Sequence, residues 1–370
     1  MLISTIIQRY LHISGVILLS RIIKSTVPFF VLVLLSPISV ADIHISGYAS
    51  VAAGRVTNGN RFLSDYPNAG VYDRDWSFSP DTSIGVQLIT DVDDKLEFVI
   101  QAVSNGATDY SVNLDWAYIN YQLSSELTIQ AGRKRLPLYY YSDFFDVGYA
   151  YYWIRPPADN YTWQITHYNG LSLQYQPYIG GWDALFNVYA GREDSDDNEL
   201  LSFLSAASVD ETWKNMVGIV AELSKSWAEF RATYMQGQLD RSVNSIVIDQ
   251  NVKQKFSGVS VNFYVNELII LSEYNQYERP TSDIHVNTRM LSLGYQFGAY
   301  TPHITHSALH QRENQAGGDE NHNTSSIGIR WDYNKSTQLK VQFDKVRDKG
   351  ITIPVLGDSE TLSFGLDFVF

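Results

Sequence analysis

Residues 360–370, Glu-Thr-Leu-Ser-Phe-Gly-Leu-Asp-Phe-Val-Phe, place Leu362, Phe364, Leu366, Phe368 and Phe370 on one side of an extended strand and Ser363, Gly365 and Asp367 on the other. Strand side chains alternate with period two, so this segment has one continuous apolar wall and one mostly polar wall. No later segment of the sequence covers the apolar wall. Lipid on one side and water on the other would satisfy both walls, and a tilted strand of about ten residues spans a bilayer core when it belongs to a closed barrel.

The other end of the chain predicts export. Arg9, Arg21 and Lys24 precede an apolar run over residues 27–35, and Ser39, Val40 and Ala41 supply small residues for cleavage, so residues 1–41 read as a secretory signal peptide. The mature chain would then span 42–370. An anchoring helix would need about twenty apolar residues, roughly twice the length of this run. A second apolar stretch over 13–19 makes the leader long and would suit a later start codon. Without the leader's three basic residues the chain carries 24 Lys and Arg against 40 Asp and Glu, a net charge of −16 that argues against nucleic acid as a partner. There is no cysteine, hence no disulfide framework and no thiolate site. The 25 tyrosines suit the two rims of a membrane barrel, where a ring with a polar tip sits at the lipid–water boundary.

Alternation and turn residues predict sixteen strands, near 43–53, 82–90, 95–104, 113–122, 126–135, 169–178, 182–191, 213–224, 227–237, 253–264, 267–277, 287–297, 300–310, 324–333, 337–347 and 360–370. The segments at 113–122, 182–191 and 267–277 alternate poorly and are placed by spacing. Short connections such as 91–94, 180–181 and 334–336 alternate with longer ones, as an even-numbered barrel with both ends in the periplasm requires. The fold expected is an all-β transmembrane antiparallel barrel with short periplasmic turns and long extracellular loops. A periplasmic β-sandwich also has short strands at regular spacing, but it gives no reason for strict long–short alternation or for a closing aromatic strand.

The connection over 136–166, between the fifth and sixth strands, is too aromatic to hang in water: it holds Tyr139, Tyr140, Tyr141, Phe144, Phe145, Tyr149, Tyr151, Tyr152, Trp153, Tyr161 and Trp163. Folding it into the lumen removes the difficulty. A strand ending in Gly132-Arg133, followed by a long third loop at this place in a sixteen-strand chain, resembles the bacterial general-diffusion porins. That resemblance implies an inward loop forming a constriction, with acidic groups on the loop, Asp143 and Asp146, facing basic groups on the wall, Arg133 with Lys134 and Arg135 beside it. Opposed charges across a narrow aqueous gap orient dipolar solutes and penalise apolar ones. Parity from Leu127 and Ile129 puts Lys134 inward and Arg133 outward unless Gly132 sits in a bulge. Parity also puts Arg231, Arg330 and Lys340 inside. Tyr139, Tyr141 and Arg155 complete the expected loop side of the constriction. The tyrosine content exceeds the family's, and an aromatic track would instead suit a saccharide-selective channel.

The resemblance further implies a homotrimer, contact with membrane lipid and lipopolysaccharide, and recognition of the terminal Phe370 by the outer-membrane assembly machinery. The expected function is passive passage of small hydrophilic solutes and ions through the outer membrane, with no catalytic residues, no metal and no cofactor. An adhesin or receptor would carry its function on external loops alone. The catalytic groups of an outer-membrane phospholipase or protease cannot be assembled convincingly from this sequence. The five carboxylates within 192–199 read as a solvated loop, since they lack the spacing of a calcium loop. His303, His306 and His310 do not share one strand face, which argues against zinc.

Overall fold

A computed structural model of the chain describes residues 43–280, 283–313, 320–350 and 357–370; the leader expected over 1–41 lies outside the described residues. Sixteen long strands pair in sequence order, all antiparallel. They are β1 (Ile43–Asn58), β2 (Ser83–Asp91), β3 (Leu96–Asn105), β4 (Val112–Gln122), β5 (Leu127–Arg135), β6 (His167–Tyr175), β7 (Trp182–Ser195) and β8 (Val209–Lys225). The second half comprises β9 (Ala228–Val243), β10 (Ile246–Val265), β11 (Leu268–Arg279), β12 (Ile284–Tyr295), β13 (Tyr300–Glu313), β14 (Asn321–Asn334), β15 (Thr337–Asp348) and β16 (Ser359–Val369). The sheet closes where β1 pairs with β16, from Tyr48 opposite Val369 to Arg55 opposite Leu362. Closure leaves no unpaired edge, which in hydrocarbon would cost several kcal/mol per backbone group.

The outward face is the apolar set that alternation predicts. On β8, Val217 and Ile219 are each 45% exposed, while Met216 and Val220 on either side of the pair are buried. On β16, Phe364 and Leu366 face out and Ser363 and Asp367 face in. Rings gather at the turn end, where Trp227 stacks on Phe263 and Tyr300 on Trp331, the amphipathic belt expected at a membrane boundary. Many other tyrosines expected at the rims lie inside the barrel, among them Tyr48, Tyr72, Tyr168 and Tyr189.

The loop lengths depart from expectation in the middle of the chain. Residues 238–252 were expected to form a long loop, but β9 and β10 run on to a hairpin turned at Asn244 and Ser245. Both residues have positive φ (48° and 66°), the backbone of a tight two-residue turn, and asparagine tolerates it well. Elsewhere the loop end is capped by folded pieces. A small hairpin (Phe62–Asp65 with Gly70–Tyr72) and a short helix, α1 (Glu199–Ser205), put Leu63, Tyr66 and Leu200 into one apolar cluster over Ala158.

Candidate functional site

The loop over 136–166 leaves the wall beside a crease. Gly132, Gly170 and Gly191 lie in register across β5, β6 and β7, and a Cβ on any of them would fall within 2.4 Å of a neighbouring strand's carbonyl oxygen. Gly132 also has φ +139°, a conformation that favours glycine. The neck of the loop is tied by the bond from the Leu136 amide to the Thr166 carbonyl, 2.8 Å. From there the chain enters the lumen through two single 3-10 turns, Ser142–Phe144 and Gly148–Ala150. Of its 31 residues, 22 are buried and only Asp143 and Ala150 are exposed, so the segment packs as a core.

Aromatic contacts hold one side of the loop. Tyr139, Tyr141, Phe145, Tyr151, Tyr152, Trp153, Tyr161 and Trp163 form a single cluster with Trp213, Met216, Met235, Phe256, Leu271 and Met290, which project inward from β8 to β12. Trp163 meets Trp213 at 5.3 Å and Phe256 at 5.6 Å between ring centres; Tyr139 meets Phe256 edge-on at 5.2 Å. Such pairs contribute about 0.5–1.5 kcal/mol each beyond the area they bury. The phenol oxygens are also used. Tyr139 Oη accepts from the amides of Thr162 and Trp163, Tyr161 donates to Glu273, Tyr152 to Ser292, and Tyr140 to Glu229.

Charged groups hold the rest. The Arg155 guanidinium lies 2.9 Å from Asp81, 3.2 Å from Asp65 and 3.8 Å from Asp146. Arg135 pairs with Asp146 on the loop and, at 2.9 Å, with Asp115 on β4, which in turn meets His167 at 3.0 Å. Lys340 donates to the carbonyls of Gly148 and Trp153 and pairs with Asp367 at 2.8 Å. Arg231 pairs with Glu222 and donates to the Pro137 carbonyl at 2.7 Å. Asp159 binds His322 at 2.6 Å, and the other ring nitrogen of His322 faces Glu320 and the Tyr66 hydroxyl.

The charged groups expected at the constriction thus separate into three sets. Arg135, Arg155, Arg231, Lys340 and Asp146 are buried and fasten the loop to the wall or to the cap. Lys134 faces inward beside Gln130 and 5.0 Å from the Tyr118 ring, and Asp143 is exposed, with Lys134 and Arg231 within its electrostatic reach. Arg133 and Arg330 stay with the wall: Arg133 bonds the Leu114 carbonyl and Glu193, both at 2.8–2.9 Å, and Arg330 pairs with Asp332 at 3.0 Å. Tyr139 and Tyr141 are buried in the aromatic cluster, so neither offers a free face. Phe370 exchanges both backbone bonds with Gly47 and lays its ring where a Cβ of Gly47 would be. His303 stacks on Tyr152 inside, while His306 bonds Ser325.

Sequence reasoning missed the partners of the buried cations. Asp65 and Asp81 sit in a loop with no periodicity to place them. Asp115 did leave a signal: it falls in the segment that alternates poorly, and the structure shows a register shift between β3 and β4 there. What the arrangement can do follows from its materials. A pinned loop across the lumen confines any opening through the barrel to the gaps that the loop leaves.

Comparison with known proteins agrees with this geometry. The model of the Gram-negative porin family matches residues 29–351. No curated protein matches the sequence. Among solved structures, the outer-membrane channel DcaP of Acinetobacter baumannii is similar at TM-score 0.62 and 11% identity, over 89% of this chain and 97% of that one. OmpF of Salmonella typhi, solved with daunomycin, is similar at TM-score 0.59 and 15% identity, again over 89% and 97%. In-vitro folded OmpT of Vibrio cholerae, an outer-membrane protein in its trimer form, follows at 0.56 and 9% over 89% and 99%. The barrel, the inward-facing charges and the family match lead to one conclusion: the chain belongs to the Gram-negative porin family and is an outer-membrane channel.

Proposed function

We propose that this channel passes small hydrophilic solutes and ions passively, with the loop over 136–166 as the element that limits their size. The observation that carries the reading is the burial of 22 of the loop's 31 residues against the barrel wall. A segment held by an aromatic core and by Arg135, Arg155 and Lys340 narrows the lumen permanently rather than as a passing state. The exposed Asp143 adds a fixed negative charge where solutes meet the loop. A sugar track is not favoured, because its tyrosines are committed to packing and to bonds with Thr162, Glu273 and Ser292.

A homotrimer is the working assembly in this reading, supported by the trimer form among the similar structures. Membrane lipid and lipopolysaccharide cover the apolar outward face, and the assembly machinery reads the strand that ends in Phe370. Liposome-swelling assays with sugars of rising mass test the proposal. The reading expects graded, non-saturable entry with a low size limit. Saturable uptake of one saccharide, or no swelling with any solute, would overturn it.

A further inference from the structure

The outer wall of the barrel has a charge pattern of its own near the loop end. Four basic groups there have a carboxylate beside them: Arg192 has Asp194, Lys214 has Asp240, Lys345 has Glu360 and Arg347 has Asp358. The outward face of β10–β13 breaks this pattern. Lys253, Lys255, Arg289 and His310 stand on it with no ion pair or side-chain hydrogen bond among the described residues. Glu278 shares the face, opposite Lys255 in register, but it is engaged by His285 and Gln276. The whole sequence carries a net charge of −13, so a basic face without counter-charges is the exception in this chain.

The height of this face matters as much as its sign. Along β12 the outward side chains run Tyr295, Leu293 and Leu291, all exposed, and then Arg289, also exposed. Successive outward positions are about 7 Å apart along a strand, so Arg289 stands roughly 20 Å from the ring at the turn end, within an apolar band about 25 Å tall in such barrels. The neighbouring strands agree. Leu291 lies opposite His306, the outward residue after Ile304 on β13, and Arg289 lies opposite Tyr274 on β11. Tyr274 is exposed and donates its hydroxyl to Asn287 at 2.9 Å, a ring with a polar tip at the upper lipid–water boundary. A guanidinium beside hydrocarbon reaches along its own stem to the headgroup level and takes an anionic partner there. The anion that headgroups offer is phosphate, and the arginine fork matches it with two parallel bonds.

We propose that the outward face of β10–β13 near the loop end is a docking site for the phosphate of an outer-leaflet lipid headgroup, with Arg289 at its lower edge and Lys253, Lys255 and His310 above. Three properties select this occupant. The site faces away from the lumen, it begins where the exposed apolar side chains end, and its cations have no carboxylate of their own. Acyl chains below the phosphate would then lie on Leu291, Leu293 and Ile304. The site depends on the barrel's place in the outer membrane and not on the inward loop, so it stands or falls apart from the proposed size limit.

The test is lipid retention by the folded, full-length protein in detergent, measured by native mass spectrometry with three probes: diphosphorylated lipid A, a phosphate-free form of the same lipid, and inorganic phosphate. The wild type is expected to hold the diphosphorylated lipid about tenfold more tightly than the phosphate-free form, and to release it as KCl rises. Arg289→Gln is expected to weaken retention about fivefold, the change that corresponds to roughly 1 kcal/mol for one charge at an anionic headgroup layer. Lys253→Gln, Lys255→Gln and Arg289→Gln together are expected to weaken it about a hundredfold. Lys345→Gln with Arg347→Gln removes cations that already have carboxylates, and is expected to change retention less than about twofold. Equal retention of the two lipids by the wild type, a result that needs no variant to fold, would overturn the proposal. So would undiminished retention in the triple variant, an equal loss in the Lys345 and Arg347 variant, or inorganic phosphate held as tightly as the lipid. Disulfide-linked barrels from an Arg289→Cys variant under oxidant would make the face a contact between copies and overturn it as well, since the chain has no cysteine of its own.

Discussion

Arg155→Met is the perturbation that most sharply separates a fastened loop from one that merely rests in the barrel. The Arg155 side chain is 5% exposed and reaches two segments, Asp65 and Asp81 between β1 and β2 and Asp146 on its own loop. Methionine keeps much of its volume and removes the charge, leaving Asp65 and Asp81 without their ion-pair partner, while Asp146 retains Arg135. Breaking a buried pair from one side costs about 3–5 kcal/mol, because the abandoned charge stays desolvated. At 1.36 kcal/mol per decade, the lower figure shifts the ratio of docked to undocked loop by about a hundredfold. Undocking carries the loop's aromatic packing with it, so the cost falls on a local equilibrium rather than on the sheet, whose strand pairing is untouched. Single-channel recordings should therefore show a noisy current with visits to a larger conductance, from a barrel that assembles as the wild type does. Asp81→Asn in the same chain should reduce the penalty, since it removes one of the stranded charges. A wild-type conductance and noise level in Arg155→Met would refute the clamp.

Other outcomes follow from the same contacts. Asp143→Asn should shift the reversal potential modestly toward anions without adding noise, whereas Asp146→Asn should add noise, because Asp146 is the buried partner of Arg135 and Asp143 is exposed; bilayer recordings of the two single variants check this. Tyr139→Ala should loosen the loop by about 3–5 kcal/mol, as large-to-small changes among buried rings do, and alter conductance equally with and without added maltose-type sugar. Deleting Phe370 should lower the outer-membrane yield, measured by fractionation, since the deletion removes both the closing bonds to Gly47 and the ring above it.

Much of this was legible in the sequence because a barrel writes its pattern at short range. The alternation that exposes Ile327 and Ile329 and turns Ser326 and Arg330 inward can be read from neighbours alone. The aromatic loop was legible too, since its rings cannot all face water. Charge partners were not. Nothing near Arg155 in sequence announces Asp65 or Asp81, which reach it only because the segment between β1 and β2 folds back over the loop end. Counting charges on the loop therefore could not tell the exposed Asp143 from the buried Asp146 three residues later. The hairpin at Asn244 and Ser245 was missed because residues 238–252 mix polar groups with the run Ile246-Val247-Ile248 and so show no period-two alternation to mark two strands.

The role proposed for the inward loop is to limit passage. Replacing residues 140–160 by a short Gly-Ser link, and comparing single-channel conductance with the wild type in the same salt, tests it most directly. The expected result is a barrel that still assembles and conducts several times more current, with a raised size limit for sugars. An assembled variant with the conductance and size limit of the wild type would contradict it.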